Sequence, residues 1–190
     1  MEGQMTTAER EFLYNAVHTH LRDKNGAAVL EVGTWKGGGS TFQIANALSH
    51  INKGHILYTC ETDVGLYNEA VASYRNHPLD KHIFFLNSPS NVLIEQLIGS
   101  KIIPQFVFFD GPEDPEINLN DFKRLDEFLE VGAQFCMHDW DLDIRIDGLV
   151  STKAKLLRPY LESLKNWRRL DSLTKPVSVG IVLMEKIQGL

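Results

Sequence analysis

VLEVGTWKGGGST, residues 29–41, is the stretch that decides the fold. Ala27, Ala28, Val29, Leu30 and Val32 make a short apolar run with a β-branched bias, the pattern of a buried strand. The run meets Gly33, and after three residues come Gly37, Gly38 and Gly39. Ser40 and Thr41 follow and can cap a helix that begins at Phe42. Strand, glycine turn and helix start together form a cradle. Glycine lets the backbone approach a ligand, and a helix N-terminus offers free N–H groups. A dinucleotide fingerprint would need G-x-G-x-x-G after the strand, and bulky Trp35 stands where its second glycine belongs.

Outward from this stretch the chain alternates strand and helix patterns. Thr6 with Glu9 reads as a capping box, followed by the helical stripe Phe12, Leu13, Ala16, Val17 and Leu21. The first strand is placed at Ala27–Glu31, and a helix follows through Ile44, Ala45 and Leu48. HILYTCE, HIFFLN, QFVFFD and AQFCMHD read as four further strands, ending at Glu61, Asn87, Asp110 and Asp139. Helices are expected at Asn68–Tyr74, after a Ser88 or Ser90 cap, at Asp121–Leu129 and around Lys153–Leu164. NWRRLD and VSVGIVLME lie too close for a crossover helix, so they should form an antiparallel hairpin. The expectation is an α/β fold: a doubly wound, mostly parallel, seven-stranded Rossmann-like sheet with a C-terminal antiparallel hairpin. No linker or repeat is visible, so residues 1–190 read as one domain.

Composition narrows the function classes. The chain is 43% hydrophobic and 23% charged, as soluble globular proteins are. No apolar run reaches the length of a membrane span, and MEGQMTTAER lacks the layout of a signal peptide. Cys60 and Cys136 fall inside strands, where a buried reduced thiol is expected, which favours a cytoplasmic setting. The net charge of −6 counts against nucleic acid as a partner. Lys153, Lys155, Arg158, Lys165, Arg168 and Arg169 make the late chain basic, and a solvated helix face explains that cluster.

In a doubly wound sheet, ligands bind beyond the carboxyl ends of the strands. Glu31, Glu61, Asn87, Asp110 and the pair His138–Asp139 fall at that edge. Asp and Asn also favour turns. Five such ends in register with a glycine cradle point to a site.

The E-x-G-x-x-x-G pattern, with Glu31 two residues before Gly33, resembles the first motif of class I S-adenosylmethionine-dependent methyltransferases. It looks most like their small-molecule O-methyltransferase branch. That branch places a serine where Gly39 stands here, with Ser40 one residue later. FVFFDGPEDPE resembles the fourth motif: Asp110, Gly111 and Asp121 match, while Glu113 replaces the histidine of D-G-x-H. FCMHDWD resembles the family's fifth strand end, H-D-Y or H-D-W.

The resemblance implies a cofactor site for S-adenosylmethionine built from Glu31, Gly33, Thr34, Gly37, Gly38, Ser40, Glu61, Asn87, Ser88 and Asp110. Glu61 would accept hydrogen bonds from the ribose hydroxyls. Glu31 would hold the cofactor ammonium or brace the loop. Asn87 and Ser88 would meet the adenine, Ser88 being equally explained as a helix cap. Catalysis would fall to His138, Asp139, Asp110 and Glu113, with His138 a candidate general base. In metal-dependent members, carboxylates at the positions of Asp110 and Asp139 hold Mg²⁺, which suits hard oxygen ligands; here metal dependence is the lesser expectation. Trp35, Trp140, the first helix and loops 111–120 and 140–151 are the candidate walls, with Asp141, Asp143 and Asp147 adding acidity to the second loop. A homo-oligomer is one way of completing the pocket.

The implied reaction is methyl transfer to a hydroxyl of a small molecule, such as a sugar, phenol or polyketide-like acceptor. A binding module without turnover and, further off, a nicotinamide-dependent oxidoreductase are the competing readings. Fold alone does not separate the first from the second. Glu61→Ala is expected to weaken S-adenosylhomocysteine binding by roughly 1–3 kcal/mol, the scale of a hydrogen bond to a charged group, measured by calorimetry.

Overall fold

The glycine stretch leaves the centre of a sheet. The structure is a computed structural model that describes residues 5–141 and 151–189. Its central strand, β1 (Ala28–Val32), pairs in parallel with β2 (Ile56–Glu61) and, on the other side, with β4 (Pro104–Phe109). β2 carries β3 (Ile83–Asn87) and β4 carries β5 (Gln134–His138), again in parallel. β7 (Ile181–Lys186) joins β5 antiparallel, and β6 (Trp167–Leu173) closes the edge antiparallel to β7. The order is β3-β2-β1-β4-β5-β7-β6, the doubly wound sheet with a terminal hairpin that the strand pattern implied. The chain reverses its direction of travel between β1 and β4, and that switch point opens a crevice at their carboxyl ends.

Among the described residues, six α-helices cover both faces. They are α1 (Thr7–Leu21), α2 (Ser40–Ile51), α3 (Val64–Tyr74), α4 (Ser90–Gly99), α5 (Pro115–Asp126) and α6 (Leu157–Ser163). Side chains alternate across a strand. Phe106 and Phe108 therefore pack with Leu13 and Val17 of α1 and Ile44 and Leu48 of α2. Val107 and Phe109 pack on the opposite face with Leu93 of α4, Phe122 of α5 and Leu157 of α6. Both faces are dry, which is why β1, β4 and β5 read as unbroken apolar runs. Each buried phenylalanine contributes about 1.5–3 kcal/mol relative to exposure. Cys60 and Cys136 are buried free thiols, as expected from their strand positions. No helix among the described residues is long and apolar enough to cross a membrane.

Helix starts differ from the sequence reading, because local hydrogen bonds set them. α2 begins at Ser40, with Gly39 at its N-cap and no side-chain cap bond; Ser40 and Thr41 do not cap it. α3 starts at Val64 under an Asp63 cap, earlier than Asn68. α4 has Pro89 at its N-cap, so neither Ser88 nor Ser90 caps it. α5 starts at Pro115, capped by Asp114, so Asp121 lies inside the helix and not near its start. The expected span Asp121–Leu129 overlaps only its second half. α6 is shorter than expected, and residues 153–156 precede it.

Gly33 shows why glycine is required at the switch point. Its φ is +96°, and a Cβ there would lie 2.3 Å from the Asp110 carbonyl oxygen. The collision is with the β4 strand end, a different cost from the loss of ligand space that the sequence suggested. Gly33→Ala is therefore expected to destabilise the whole domain by about 1–3 kcal/mol through backbone strain and the displaced β4 end. Urea unfolding with an unchanged m-value would measure this. A variant as stable as the parent would show that β1 and β4 are not so tightly abutted.

Candidate functional site

The crevice beyond β1, β2 and β4 is a cavity of about 690 Å³. This falls within the roughly 300–1,000 Å³ typical of small-molecule sites. Gly33, Thr34, Trp35 and Ser40 form one wall; Glu61, Thr62 and Leu66 form the next. Ser88 and Ser90 border it from the start of α4. Asp110, Glu113, Asp121 and Lys153 close the far end, and Met5 contributes from just before α1.

Local hydrogen bonds set the first wall. The N–H groups of Gly33 and Thr34 both donate to the Cys60 carbonyl, at 3.3 and 3.1 Å. Trp35 has φ of +47°, and its N–H donates to Glu61 Oε2 at 2.9 Å. Glu61 Oε1 accepts from the Asp63 N–H at 3.0 Å. The glycine turn and the end of β2 are thus clamped through one carboxylate that also borders the cavity.

Gly33, Thr34, Ser40, Glu61, Ser88, Asp110 and Glu113 line the cavity; Glu31, Gly37, Gly38, Asn87, His138 and Asp139 do not. A Cβ on Gly37 would lie 2.9 Å from the Tyr74 ring, so that glycine serves packing against α3. Asn87 is turned away, with Nδ2 donating to the Glu61 carbonyl at 2.7 Å. Glu31 shares the α2 face of β1 with Val29 and is fully buried. Its Oε2 accepts from the hydroxyls of Thr41 and Thr59, at 2.7 Å each. Glu31 therefore braces β1, β2 and α2 and does not reach the ligand space. Among the candidate walls, Trp35 borders the cavity, whereas Trp140 is buried beneath Arg158. Asp141 pairs with Arg158 at 3.5 Å. Asp143 and Asp147, with most of loop 140–151, lie outside the described residues.

At the far end a cluster of buried charges forms. Asp139 ends β5 with φ of +54°, a left-handed conformation that turns its carboxylate back toward Asp110. Lys153 Nζ bridges the two, 2.6 Å from Asp110 Oδ1 and 2.8 Å from Asp139 Oδ2. His138 Nδ1 lies 3.5 Å from Asp110 and 3.7 Å from Asp139, and its Nε2 lies 3.3 Å from Glu9 Oε2. These contacts are ion pairs without aligned hydrogen bonds, since neither ring nitrogen meets hydrogen-bond geometry.

Burial would raise the carboxyls of Asp110 and Asp139, but Lys153 and His138 hold both below their ordinary range. Burial would also lower His138, yet Asp110, Asp139 and Glu9 hold it well above the usual imidazole value. His138 itself does not line the cavity, and its ring is held among three carboxylates. Burial would likewise lower Lys153, but the two aspartates keep its ammonium charged.

Two members of the cluster escaped the sequence reading. Glu9 was legible only as the capping-box partner of Thr6, whose N–H donates to it at 2.8 Å. The same carboxylate also accepts from Ser178 Oγ at 2.6 Å and from the Val179 N–H at 3.1 Å. Lys153 was grouped with a solvated face, but it is 7% exposed. Lys155, Lys165, Arg168 and Arg169 are indeed exposed, and no local signal in the sequence separates Lys153 from them.

Asp110, His138 and Asp139 bring donor atoms within 4.8 Å of one another, the spacing of a metal site. They do not fit a divalent cation as they stand. The Lys153 ammonium already fills the space between the carboxylates.

Residues 30–140, more than half of the chain, match the profile of a family described as a methyltransferase domain, and the chain belongs to that family. It is accordingly a methyltransferase. No curated protein matches it in sequence. Similar solved structures include an O-methyltransferase from Bacillus cereus in complex with SAH, at 19% identity and a TM-score of 0.76, covering 96% of this chain and 82% of that one. The O-methyltransferase TomG from Streptomyces achromogenes, involved in tomaymycin synthesis and solved with SAM, is 17% identical with a TM-score of 0.76, covering 97% and 82%. A putative rRNA-methylase from Clostridium thermocellum is 15% identical with a TM-score of 0.69 and full coverage of both chains. At these identities the likeness concerns the fold.

Glu31 gives a test of the bracing role. Burial raises its carboxyl to about 7 from an ordinary 4.5, against the hydroxyls of Ser40, Thr59 and Thr41. Between those values the folded protein keeps the proton and the unfolded chain has released it. Stability from this group is therefore fully present below 4.5 and is lost as pH rises through about 7. Glu31→Gln removes the dependence, so its stability should gain on the parent between about pH 5 and pH 8 in denaturant titrations. A difference that does not vary with pH would contradict the assignment.

Proposed function

We propose that the chain transfers a methyl group from S-adenosylmethionine to a hydroxyl of a small molecule. The observation that carries this is a single cavity with two chemically different ends. At one end Glu61 and the Gly33–Trp35 turn offer a carboxylate and a close backbone. At the other, Asp110, Glu113 and Lys153 offer groups that can hold and deprotonate an acceptor. Membership of the methyltransferase-domain family supports the reaction type, and the SAH- and SAM-bound neighbours support the cofactor.

The residues present suit that cofactor. α2 opens without a side-chain cap, and Gly39 and Ser40 border the cavity. Its first N–H groups are thus available to the carboxylate of an amino-acid moiety. Glu61 accepts from the ribose hydroxyls, and Ser88 lies on the adenine side. When bound, the cofactor supplies an electrophilic methyl on a sulfonium. The protein positions the acceptor oxygen in line with that methyl and removes its proton. Glu113 takes the proton: it stands in the place of the family histidine, lines the cavity, and its side chain is 51% exposed. As the acceptor oxygen takes the methyl that the bound cofactor would supply, its proton would pass to the Glu113 carboxylate. A net charge of −6 favours a small acceptor over a polyanion.

Calorimetric titration should show S-adenosylhomocysteine binding and no response to NAD. With a methyl acceptor in hand, Glu113→Gln should lower kcat by about 10²–10⁴-fold, the range of general-base catalysis, while cofactor affinity stays near that of the parent. Tight NAD binding without a response to S-adenosylhomocysteine would sink the cofactor assignment. An undiminished rate in Glu113→Gln would move the base elsewhere.

A further inference from the structure

We propose that Lys153 is the resident cation of the acceptor site: its ammonium occupies the place between Asp110 and Asp139 that a divalent metal would take, and it binds the acceptor oxygen directly. This deepens the methyl-transfer reading and rests on it for the identity of the ligand, a hydroxyl or its oxyanion.

Three observations converge. First, the ammonium sits between two strand ends, 2.6 Å from Asp110 Oδ1 on β4 and 2.8 Å from Asp139 Oδ2 on β5. Two oxygens on neighbouring strands bracketing one positive centre is how a carboxylate pair holds a metal. Second, an ammonium has three N–H donors. One is hydrogen-bonded to Asp110, and the ammonium also makes an ion pair with Asp139. Glu113 Oε1, at 3.8 Å, is beyond hydrogen-bond reach. Lys153 borders the cavity, so the third donor is left for a ligand oxygen.

Third, the lysine is delivered by a fixed backbone. Its carbonyl accepts from Asn118 Nδ2 at 3.3 Å, and Glu113 Oε2 accepts from the Thr152 N–H at 3.2 Å and from Ser151 Oγ at 3.4 Å. Thr152 Oγ1 donates to the Glu113 carbonyl at 2.5 Å. Ala154, next in the chain, is fully buried. Glu113 therefore both lines the cavity and pins the segment that carries the cation.

Opposite charges gather in this arrangement. Asp110, Asp139 and Glu9 face His138 and Lys153 at ion-pair distance, three negative groups against two positive ones. A divalent ion would have to expel the ammonium to reach both carboxylates. A single positive charge within contact of a hydroxyl favours its ionised form, the service a metal would otherwise give. The acceptor oxygen is thus activated by a group the chain itself supplies.

The test uses Mn²⁺ alone as probe, read by its paramagnetic signal, and needs no acceptor. Parent protein should bind no Mn²⁺ at submillimolar concentration. Lys153→Met should gain a site at least tenfold tighter than any in the parent, and Lys153→Met/Asp139→Asn should lose it again. If Lys153→Met does not fold, Lys153→Gln carries the same comparison. Submillimolar Mn²⁺ binding by the parent that disappears in Asp139→Asn would overturn the proposal. So would a folded Lys153→Met that gains no site. Calorimetry with S-adenosylhomocysteine on the same samples keeps the two readings apart. Its failure would defeat the methyl-transfer reading while the Mn²⁺ pattern still reports on Lys153.

Discussion

Five ionisable side chains meet where β4 and β5 end, and the pairing of their opposite charges is what the rest of the structure must preserve. Glu9, Asp110, His138, Asp139 and Lys153 come from an N-terminal helix, two central strands and a segment preceding α6. Burying any of these charges alone is costly, and removing one partner of such a pair costs roughly 3–5 kcal/mol because the other is left uncompensated. The cluster is therefore cooperative: each charge is tolerable only while the others are in place. It fixes how α1 sits on the sheet and how far the β4 and β5 ends lie apart. It also sets what the cavity presents to a ligand, since Asp110 and Lys153 belong to both cluster and wall.

The sheet was readable because its strands are buried on both faces. Period-two alternation vanishes there, and continuous runs such as QFVFF and AQFCM signal the parallel core directly. The hairpin was readable from the short distance between its strands. Helix starts were less so. Pro115 and Asp114 begin α5 well before its apolar stripe, and Gly39 begins α2 with no side-chain cap at all. In the site, Gly33 and Glu61 were legible because their roles are local to a strand end and its turn. Lys153, Glu9 and Asn87 were not, because their partners are distant in sequence. Nothing near Lys153 tells it from exposed Lys155, and nothing near Glu9 says that its carboxylate serves more than the cap of α1.

Glu31 and Glu61 show how two acids at adjacent strand ends acquire different work. Glu31 points into the α2 face, is fully buried, and its carboxyl is pushed up to about 7. Glu61 sits one strand over at the cavity wall, held by the backbone N–H groups of Trp35 and Asp63. The first keeps the strands and helix together; the second faces ligand space. Sequence gave both the same signature, an acid at the end of an apolar run, and the side of the sheet decided between them.

The bonds of Glu9 to Ser178 and Val179 span 169 and 170 residues of chain. Contacts of such separation form late, because the entropy of closing so long a loop must be overcome first. A chain synthesised only as far as β5 already holds His138 and both aspartates. It lacks Lys153 and the turn before β7 that fixes Glu9. The end of the cavity lined by Asp110 and Lys153 thus depends on contacts across nearly the whole chain, whereas the glycine turn and the end of β2 meet through neighbouring elements. A partly folded chain would bring the glycine turn and Glu61 together while Asp110 and Asp139 still lack the Lys153 ammonium. Completion of the hairpin and arrival of the first turn of α1 act together as the step that makes the domain chemically whole.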